Sequence, residues 1–445
     1  MEKILHKKKH LTSFQFIILG FAAVILAGTL VLMLPISARS GISTPFHEAL
    51  FTSTSAVCVT GLVVHDTATY WSTFGQAIIL LMIQIGGMGV ITVAASLALI
   101  SGRRISLMQR STMQEAIAAP KMGGIVRLTG FVIKITFIIE LLGAVIMMPV
   151  FIKDFGTKGI WMAFFHSISA FCNAGFDIMG TYGHEFVSLT SYVANPIISL
   201  TIISLIIVGG IGFLTWDDIR ANKHHFKHYR MQSKVILVTT GILIIVPALY
   251  LFFIEFANLP VNERILASLF QAVTPRTAGF NTADLTLISG AGQAILIVLM
   301  LIGGSPGSTA GGMKTTTIAV LFANAMAVFR RKENAQFFGR RLGHDVVRNA
   351  ATILTMYVSI YYISAITIST IEGLPINMCL FETASAIGTV GLTLGITPQL
   401  GLASRMILIL LMFLGRVGGL TLIYAALSGN GKNLSKLPLE KITVG

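Results

Sequence analysis

The sequence predicts an all-α membrane protein: four parallel repeats, each a helix, a re-entrant pore loop and a second helix, set around a pseudo-fourfold pore. Three observations predict it. The 445-residue chain is 54% hydrophobic and 11% charged, against about 25% charged residues in a soluble domain, and its mean hydropathy is +0.81. Four short segments end on a glycine: Ala56 to Gly61, Ala170 to Gly175, Thr274 to Gly279 and Ala386 to Gly391. Their glycines lie 114, 104 and 112 residues apart. Each segment sits between two long apolar stretches, so one unit repeats four times, which fixes an architecture before any single residue is interpreted.

The first span, 14–34, follows Lys7, Lys8 and Lys9. It is long enough to cross a hydrocarbon core about 30 Å thick and longer than a signal peptide's apolar region of about 7–15 residues. It is therefore expected to be a retained membrane helix. The other spans fall at 74–100, 130–152, 193–216, 234–256, 292–328, 346–371 and 403–427. Between the members of each pair lie shorter apolar segments, 44–60, 160–174, 262–278 and 377–390. These are too short to cross and fit helices that enter the membrane and return. Non-helical backbone at that depth is tolerated only when buried in protein or lining a water-filled cavity. The repeats divide the chain at 1–102, 103–222, 223–332 and 333–445, the third with a broken second helix and the fourth with the C-terminal tail.

Charge orients the chain. The net charge of +14 would suit a nucleic-acid partner, but the basic residues sit in loops between apolar spans. One side takes 24 of the 32 Lys and Arg, the other six, and Lys314 and Arg416 fall within spans. The positive-inside rule puts the rich side in the cytoplasm, with both termini there and all four short segments opening outward. The outward side holds ten acidic residues, a charge balance that draws cations toward an entrance or is ordinary surface charge. The densest basic stretch, 330–348, suits anionic lipid or a cytoplasmic partner, or simply enforces topology. Cys58, Cys172 and Cys379 have no metal-ligand or disulfide spacing and read as core-filling thiols.

The glycine-ending segments carry the chemistry. A cation filter replaces the ion's water with carbonyl oxygens, and glycine allows the unusual dihedrals that aim successive carbonyls at one axis. The expected filter is Val59, Thr60 and Gly61; Asn173, Ala174 and Gly175; Thr277, Ala278 and Gly279; and Thr389, Val390 and Gly391. Their varied side chains around a shared glycine assign potassium coordination to the backbone. The short helices would aim C-terminal ends, each about half a negative charge, into the pore. Bulky residues recur ten positions before each glycine, at Phe51, Phe165, Leu269 and Phe381. Arg276, three residues before Gly279, is expected to point behind the filter.

The second span of each unit carries a small-residue cluster: Gly86, Gly87 and Gly89; Gly209, Gly210 and Gly212; Gly303 and Gly304; Gly415 and Gly418. Close helix packing explains most of these. The third cluster runs on through Ser305, Pro306, Gly307, Ser308, Thr309, Ala310, Gly311, Gly312 and Lys314. Gly costs about 1 and Pro about 3 kcal/mol in a helix, so this span is expected to break at mid-membrane into a flexible loop, 303–317, that lies beneath the filter as a gate. A phosphate-binding loop would need Lys directly after Gly312, where Met313 stands. Arg416 occupies a glycine position of the other repeats. An Arg in a membrane is costly, so it is expected either to face the cavity and slow throughput or to tie down helix-end carbonyls.

Together these features resemble the Trk/Ktr/HKT superfamily of potassium and sodium transporters over essentially the whole chain. Within it they look most like the KtrB-type membrane subunits of bacterial Ktr systems. The resemblance implies potassium preference, since glycine stands at all four filter positions where serine in the first goes with sodium. It maps the family's gating loop onto 303–317 and its pore arginine onto Arg416. It also implies uptake across a bacterial plasma membrane by a homodimer. It implies a cytoplasmic, KtrA-like ring of nucleotide-binding regulatory subunits, and frequent sodium stimulation. No cofactor is expected in this chain itself. Two other classes compete. An alternating-access carrier for another monovalent cation, sodium or ammonium, needs a midplane site and a moving half. A membrane enzyme needs convergent acids and bases, whereas the spans offer only Glu140, with His166 and Glu382 nine residues before filter glycines, where helix support is the simpler role.

Overall fold

The computed structural model describes residues 12–90, 92–95, 106–117 and 123–418. The lysine tract 7–9, parts of the 74–100 and 403–427 spans, part of the 103–134 loop and the C-terminal tail lie outside the described residues.

In the first unit α1 (Ser13–Leu32) starts on a capping box between Thr12 and Gln15, and is followed by α2 (Phe46–Val57) and α3 (Thr73–Met88). A linking helix, α4 (Leu107–Ala116), leads to the second unit: α5 (Ile125–Phe155), α6 (Lys158–Phe171), α7 (Pro196–Gly210) and α8 (Phe213–Asn222). The third unit has α9 (Met231–Tyr250), which continues through a π-helical turn at Leu251–Glu255, then α10 (Val261–Val273), α11 (Gly290–Leu301) and α12 (Thr315–Phe329). The fourth has α13 (His344–Glu372), α14 (Ile376–Gly388) and α15 (Leu402–Val417). The basic 330–348 stretch is not all loop or helix. It holds a two-residue antiparallel hairpin pairing Gln336 with Arg341 and Phe337 with Arg340.

Three of the four short middle helices, α2, α10 and α14, start directly after a proline, Pro45, Pro260 and Pro375. Proline's fixed φ suits the residue that opens a helix. The first helix of each unit is long and apolar enough to cross a membrane, as the spans at 14–34, 130–152, 234–256 and 346–371 require.

The second helices depart from expectation. Only the third was expected to break, yet α3 ends at Met88 and α7 at Gly210, and the chain turns 97° between α7 and α8. A glycine with nearly the same left-handed backbone stands at the break in three of them: Gly89 at φ 85, Gly212 at φ 91 and Gly418 at φ 88. An L side chain resists that region, so the last glycine of these clusters marks the break: Gly89 and Gly418 cap the ends of α3 and α15, and Gly212 opens α8 while also packing closely on the Pro306 carbonyl. The earlier glycines do pack closely. A Cβ at Gly86, Gly209 or Gly415 would strike the carbonyl of Val57, Phe171 or Ile387 at the end of its own unit's short helix.

Packing between units closes a ring. α3 lies on α6, α7 on α10, α11 on α14 and α15 on α2, so each second helix meets the short helix of the next unit and the fourth returns to the first. Phe51, Phe165 and Phe381 are fully buried in that ring. Leu269 is only partly buried, and its neighbour Phe270 takes the equivalent place. The stretch from Phe270 to Gly279 is thus one residue shorter than its three counterparts.

Candidate functional site

The four glycine-ending segments converge at the centre of the ring. Gly61, Gly175, Gly279 and Gly391 have φ of 91°, 69°, 84° and 93°. Two residues earlier Val59, Asn173, Thr277 and Thr389 also have positive φ, from 51° to 68°, whereas Thr60, Ala174, Ala278 and Val390 between them do not. Left-handed and ordinary residues thus alternate, which differs from an extended strand, where successive groups point to opposite sides. A Cβ built at Gly61 would lie 2.5 Å from the Ala174 carbonyl oxygen, and one at Gly175 2.6 Å from that of Ala278. Gly279 meets the Val390 oxygen and Gly391 the Thr60 oxygen still more closely. The carbonyls of Ala174, Ala278, Val390 and Thr60 therefore lie against Gly61, Gly175, Gly279 and Gly391, each against the glycine of the preceding segment, in a closed cycle. The middle residues and their left-handed partners are fully buried.

Hydroxyl groups near the ends of the short helices hold these turns, and the sequence reading missed them. The N–H groups of Gly61 and Gly391 donate to Ser55 Oγ (3.1 Å) and Ser385 Oγ (3.0 Å). Ser169 Oγ donates to the Phe176 carbonyl at 2.7 Å, and Thr274 Oγ1 to that of Phe280 at 2.5 Å. A hydroxyl residue five or six positions before every glycine was the available signal. Asn173 and Thr277 side chains bond across two segments at 3.3 Å. Thr60 Oγ1 and Thr389 Oγ1 are buried without a partner among the described residues. We expect Ser385→Ala to destabilise the protein by about 1–3 kcal/mol, because it strands a buried N–H. A lowered thermal midpoint in detergent checks this.

One end of the ring opens under the 172–195 connection. Its Phe186 N–H donates to Asp66 Oδ2 (3.0 Å) in the first unit, and Leu189 N–H to the Asn281 carbonyl (3.0 Å) in the third. A cavity of about 200 Å³ there is lined by Gly279, Gly391, Phe186, Asn281 and Asp284. Burial, and the Asp154 carboxylate that accepts its hydroxyl at 2.7 Å, push the Tyr192 phenol well above its usual range.

The two polar residues nine positions before Gly175 and Gly391 serve as supports. His166 Nδ1 donates to the Met162 carbonyl (2.7 Å) while Nε2 accepts from Ile178 N–H (3.5 Å). Fully buried Glu382 accepts from Thr393 Oγ1 at 2.9 Å and from Thr397 Oγ1, pinning the segment after Gly391. We expect Glu382→Ala to cost about 1.5–3 kcal/mol, the range for bonds to a charged group. Faster proteolysis of 392–401 is the measurement. Glu140 is buried behind the second segment, where Gln84 Nε2 donates to it at 3.3 Å.

At the other end, residues 302–314 separate α11 from α12. The break falls where the sequence reading put it, and backbone bonds seat the loop on two neighbouring units. Ser305 and Thr309 N–H donate to the Gly210 and Gly209 carbonyls (3.0 and 3.3 Å), and Phe213 N–H donates to Gly307 (2.7 Å). The loop thereby takes up groups that the break between α7 and α8 leaves free. Gly312 N–H donates to Gly415 at 3.1 Å, and a Cβ at Gly311 would strike the Thr389 side chain. The loop thus lies against the start of the fourth segment.

Arg416 fastens this arrangement. Its guanidinium donates to the carbonyls of Gly86 (2.5 Å) and Gly87 (3.1 Å) at the end of α3, and to Thr309 in the loop. Lys314 Nζ donates to the loop's own Ala310 (2.9 Å) and Gly311 (3.3 Å) carbonyls. Arg276 turns away from the ring and reaches Thr240 on α9 at 3.3 Å.

Known proteins share this chain's pattern. Residues 4–434 match the family described as TrkH: Cation transport protein. The potassium/sodium uptake protein NtpJ of Enterococcus hirae is 39% identical over 98% of both chains. The Ktr system potassium uptake protein B of Bacillus subtilis is 37% identical over 92% of each, and that of Vibrio alginolyticus 34% identical over 97% of this chain and 94% of its own. The crystal structure of the potassium transporter TrkH from Vibrio parahaemolyticus superposes with a TM-score of 0.73 at 20% identity, covering 95% of this chain and 86% of that one.

Proposed function

The chain belongs to the TrkH family of cation transport proteins, and from that premise we propose that it is the potassium-translocating membrane subunit of a Ktr-type uptake system. The observation that carries this reading is the closed cycle of four carbonyls against four glycines. Four carbonyl oxygens around one axis replace the water of a bare monovalent cation, and the short helices aim their negative ends at the same place. In this reading the repeats are 1–102, 103–222, 223–332 and 333–445, and the four segments are re-entrant loops forming a potassium filter.

The loop from Gly303 to Gly312, with Lys314 and Arg416, is the gate beneath that filter. It sits against Thr389, so an ion leaving the filter meets it first. Opening requires release of its contacts with α3, α7 and α15. The Ala310 and Gly311 carbonyls face Lys314 instead of the ion path, which keeps the loop from serving as a second coordination site.

The protein is multi-pass in the plasma membrane with both termini cytoplasmic, an orientation supported by the 24-to-6 division of basic residues. A homodimer, a KtrA-like cytoplasmic ring that carries the nucleotide, and sodium stimulation come from the resemblance to Ktr systems. An alternating-access carrier is the second reading. It needs one half to move against the other, whereas here every second helix is wedged against the next unit's short helix around a closed ring. The test is growth on low potassium, with rubidium uptake, in a host stripped of its own uptake systems and supplied with a regulatory subunit. Uptake that potassium blocks and sodium blocks weakly supports the filter. No uptake from well-expressed protein sinks it.

A further inference from the structure

Two adjoining cavities lie where α5 meets α7 and α8, at the basic end of the bundle and far from the glycine ring. One, of about 630 Å³, is polar: Arg127, Arg220, Arg230 and Asp217 line it beside Gly123 and Gly124. The other, of about 830 Å³, is apolar: Ile135, Ile138, Ile139, Val208, Trp216 and Ile219 form its walls, with Lys134 at its edge. Arg127, Phe131 and Arg220 belong to both. The result is one continuous groove, charged at one end and greasy at the other.

The helix geometry explains the groove. Positions 127, 131, 134, 135 and 138 fall three or four apart, on one face of α5. The 97° turn after α7 lays α8 across the end of that face. Gly130 leaves the floor open, since a Cβ there would meet no atom within 4 Å. The Arg220 guanidinium sits over the Phe131 ring, 4.7 Å from its centre. Arg230 is paired with Asp217 at 3.0 Å and Asp218 at 3.3 Å. Arg127, Lys134 and Arg220 are exposed, and among the described residues none has a carboxylate partner.

We propose that this groove binds one anionic phospholipid of the leaflet on the basic side. The phosphate lies between Arg127 and Arg220, and an acyl chain runs along Phe131, Ile135, Ile138 and Trp216. Guanidinium groups suit phosphate because their fork of donors matches its oxygens. Lys134 stands about two turns deeper on α5, so its long stem covers the apolar wall while its ammonium reaches back to the surface. An acidic protein segment would satisfy the arginines but leave the isoleucine walls in contact with nothing, which is why a lipid is the fitting occupant. The proposal needs only that the chain spans a membrane, so it stands or falls apart from the potassium reading.

Native mass spectrometry of the full chain in detergent, offered phosphatidylglycerol or phosphatidylcholine, is the test. Wild type should keep one phosphatidylglycerol and lose phosphatidylcholine. The double variant Arg127→Gln with Arg220→Gln should bind phosphatidylglycerol roughly thirtyfold more weakly, about fivefold per charge removed. Gly130→Leu alters no charge and fills the floor of the groove, so it should abolish the adduct while the thermal midpoint holds or rises. Equal retention of both lipids by wild type would overturn the proposal. So would Gly130→Leu keeping phosphatidylglycerol, which would reduce the effect to a diffuse basic surface. Full displacement of the lipid by glycerol phosphate alone would also overturn it, because the groove would then read only a headgroup.

Discussion

Gly61→Ser is expected to admit sodium into a pathway that otherwise prefers potassium. The substitution acts twice. Gly61 has a φ of 91°, a region that costs an L-residue roughly 1–2 kcal/mol. The new Cβ would also lie 2.5 Å from the Ala174 carbonyl oxygen, too close for any real contact, and that oxygen belongs to the backbone of the next segment. One of the two must move, and the ring of four carbonyls loses its shape. A loss of about 1.4 kcal/mol in discrimination is tenfold, so potassium-over-sodium preference should fall by on the order of tenfold or more. Gly391→Ser should behave alike, since it presses on the Thr60 carbonyl in the same manner. Rubidium uptake competed by sodium and by potassium provides the measurement. Unchanged preference in both variants would remove these segments from the filter.

Arg416→Gln is expected to raise flux. Arg416 joins the end of α3 to the loop through three carbonyls, and each hydrogen bond from a charged group contributes about 1.5–3 kcal/mol. Their loss should let the loop leave Thr389 and increase uptake on the order of tenfold or more. A positive charge below a cation filter would slow passage as well, so removing it predicts the same direction. Arg416→Lys separates the two causes. Lysine keeps the charge but cannot span three carbonyls as a planar fork. Flux that rises in Arg416→Lys assigns the effect to the fastening, and flux that stays low assigns it to the charge. Deleting part of 305–312 should raise flux in either case, and unchanged flux would leave the loop a packing element.

The four turns were legible because glycine and proline are the residues whose presence reports backbone conformation. Gly61, Gly175, Gly279 and Gly391 announced four turns, and Pro306 with its neighbouring glycines announced a broken helix. The breaks at Gly89, Gly212 and Gly418 were hidden for the same reason. A glycine in an apolar run reads equally well as close packing, and only its φ separates the two uses. The hydroxyls of Ser55, Ser169, Thr274 and Ser385 escaped notice because the third is displaced by one residue relative to its glycine. The seating of the 302–314 loop depends on carbonyls freed where α7 breaks, nearly a hundred residues earlier in the chain, so no local pattern carries it. Likewise Arg416 announced a buried charge, but its partners at Gly86 and Thr309 come from other repeats.

The central claim is that the carbonyls of Thr60, Ala174, Ala278 and Val390 hold the ion. Rubidium scatters anomalously and stands in for potassium, so crystals of this protein grown in rubidium would locate it directly. The account predicts an anomalous peak on the axis of that ring, only slightly weakened when sodium is added beside rubidium in wild type, and strongly weakened by the same sodium in Gly61→Ser. A peak elsewhere in the bundle, with none on the axis of the ring, would contradict it.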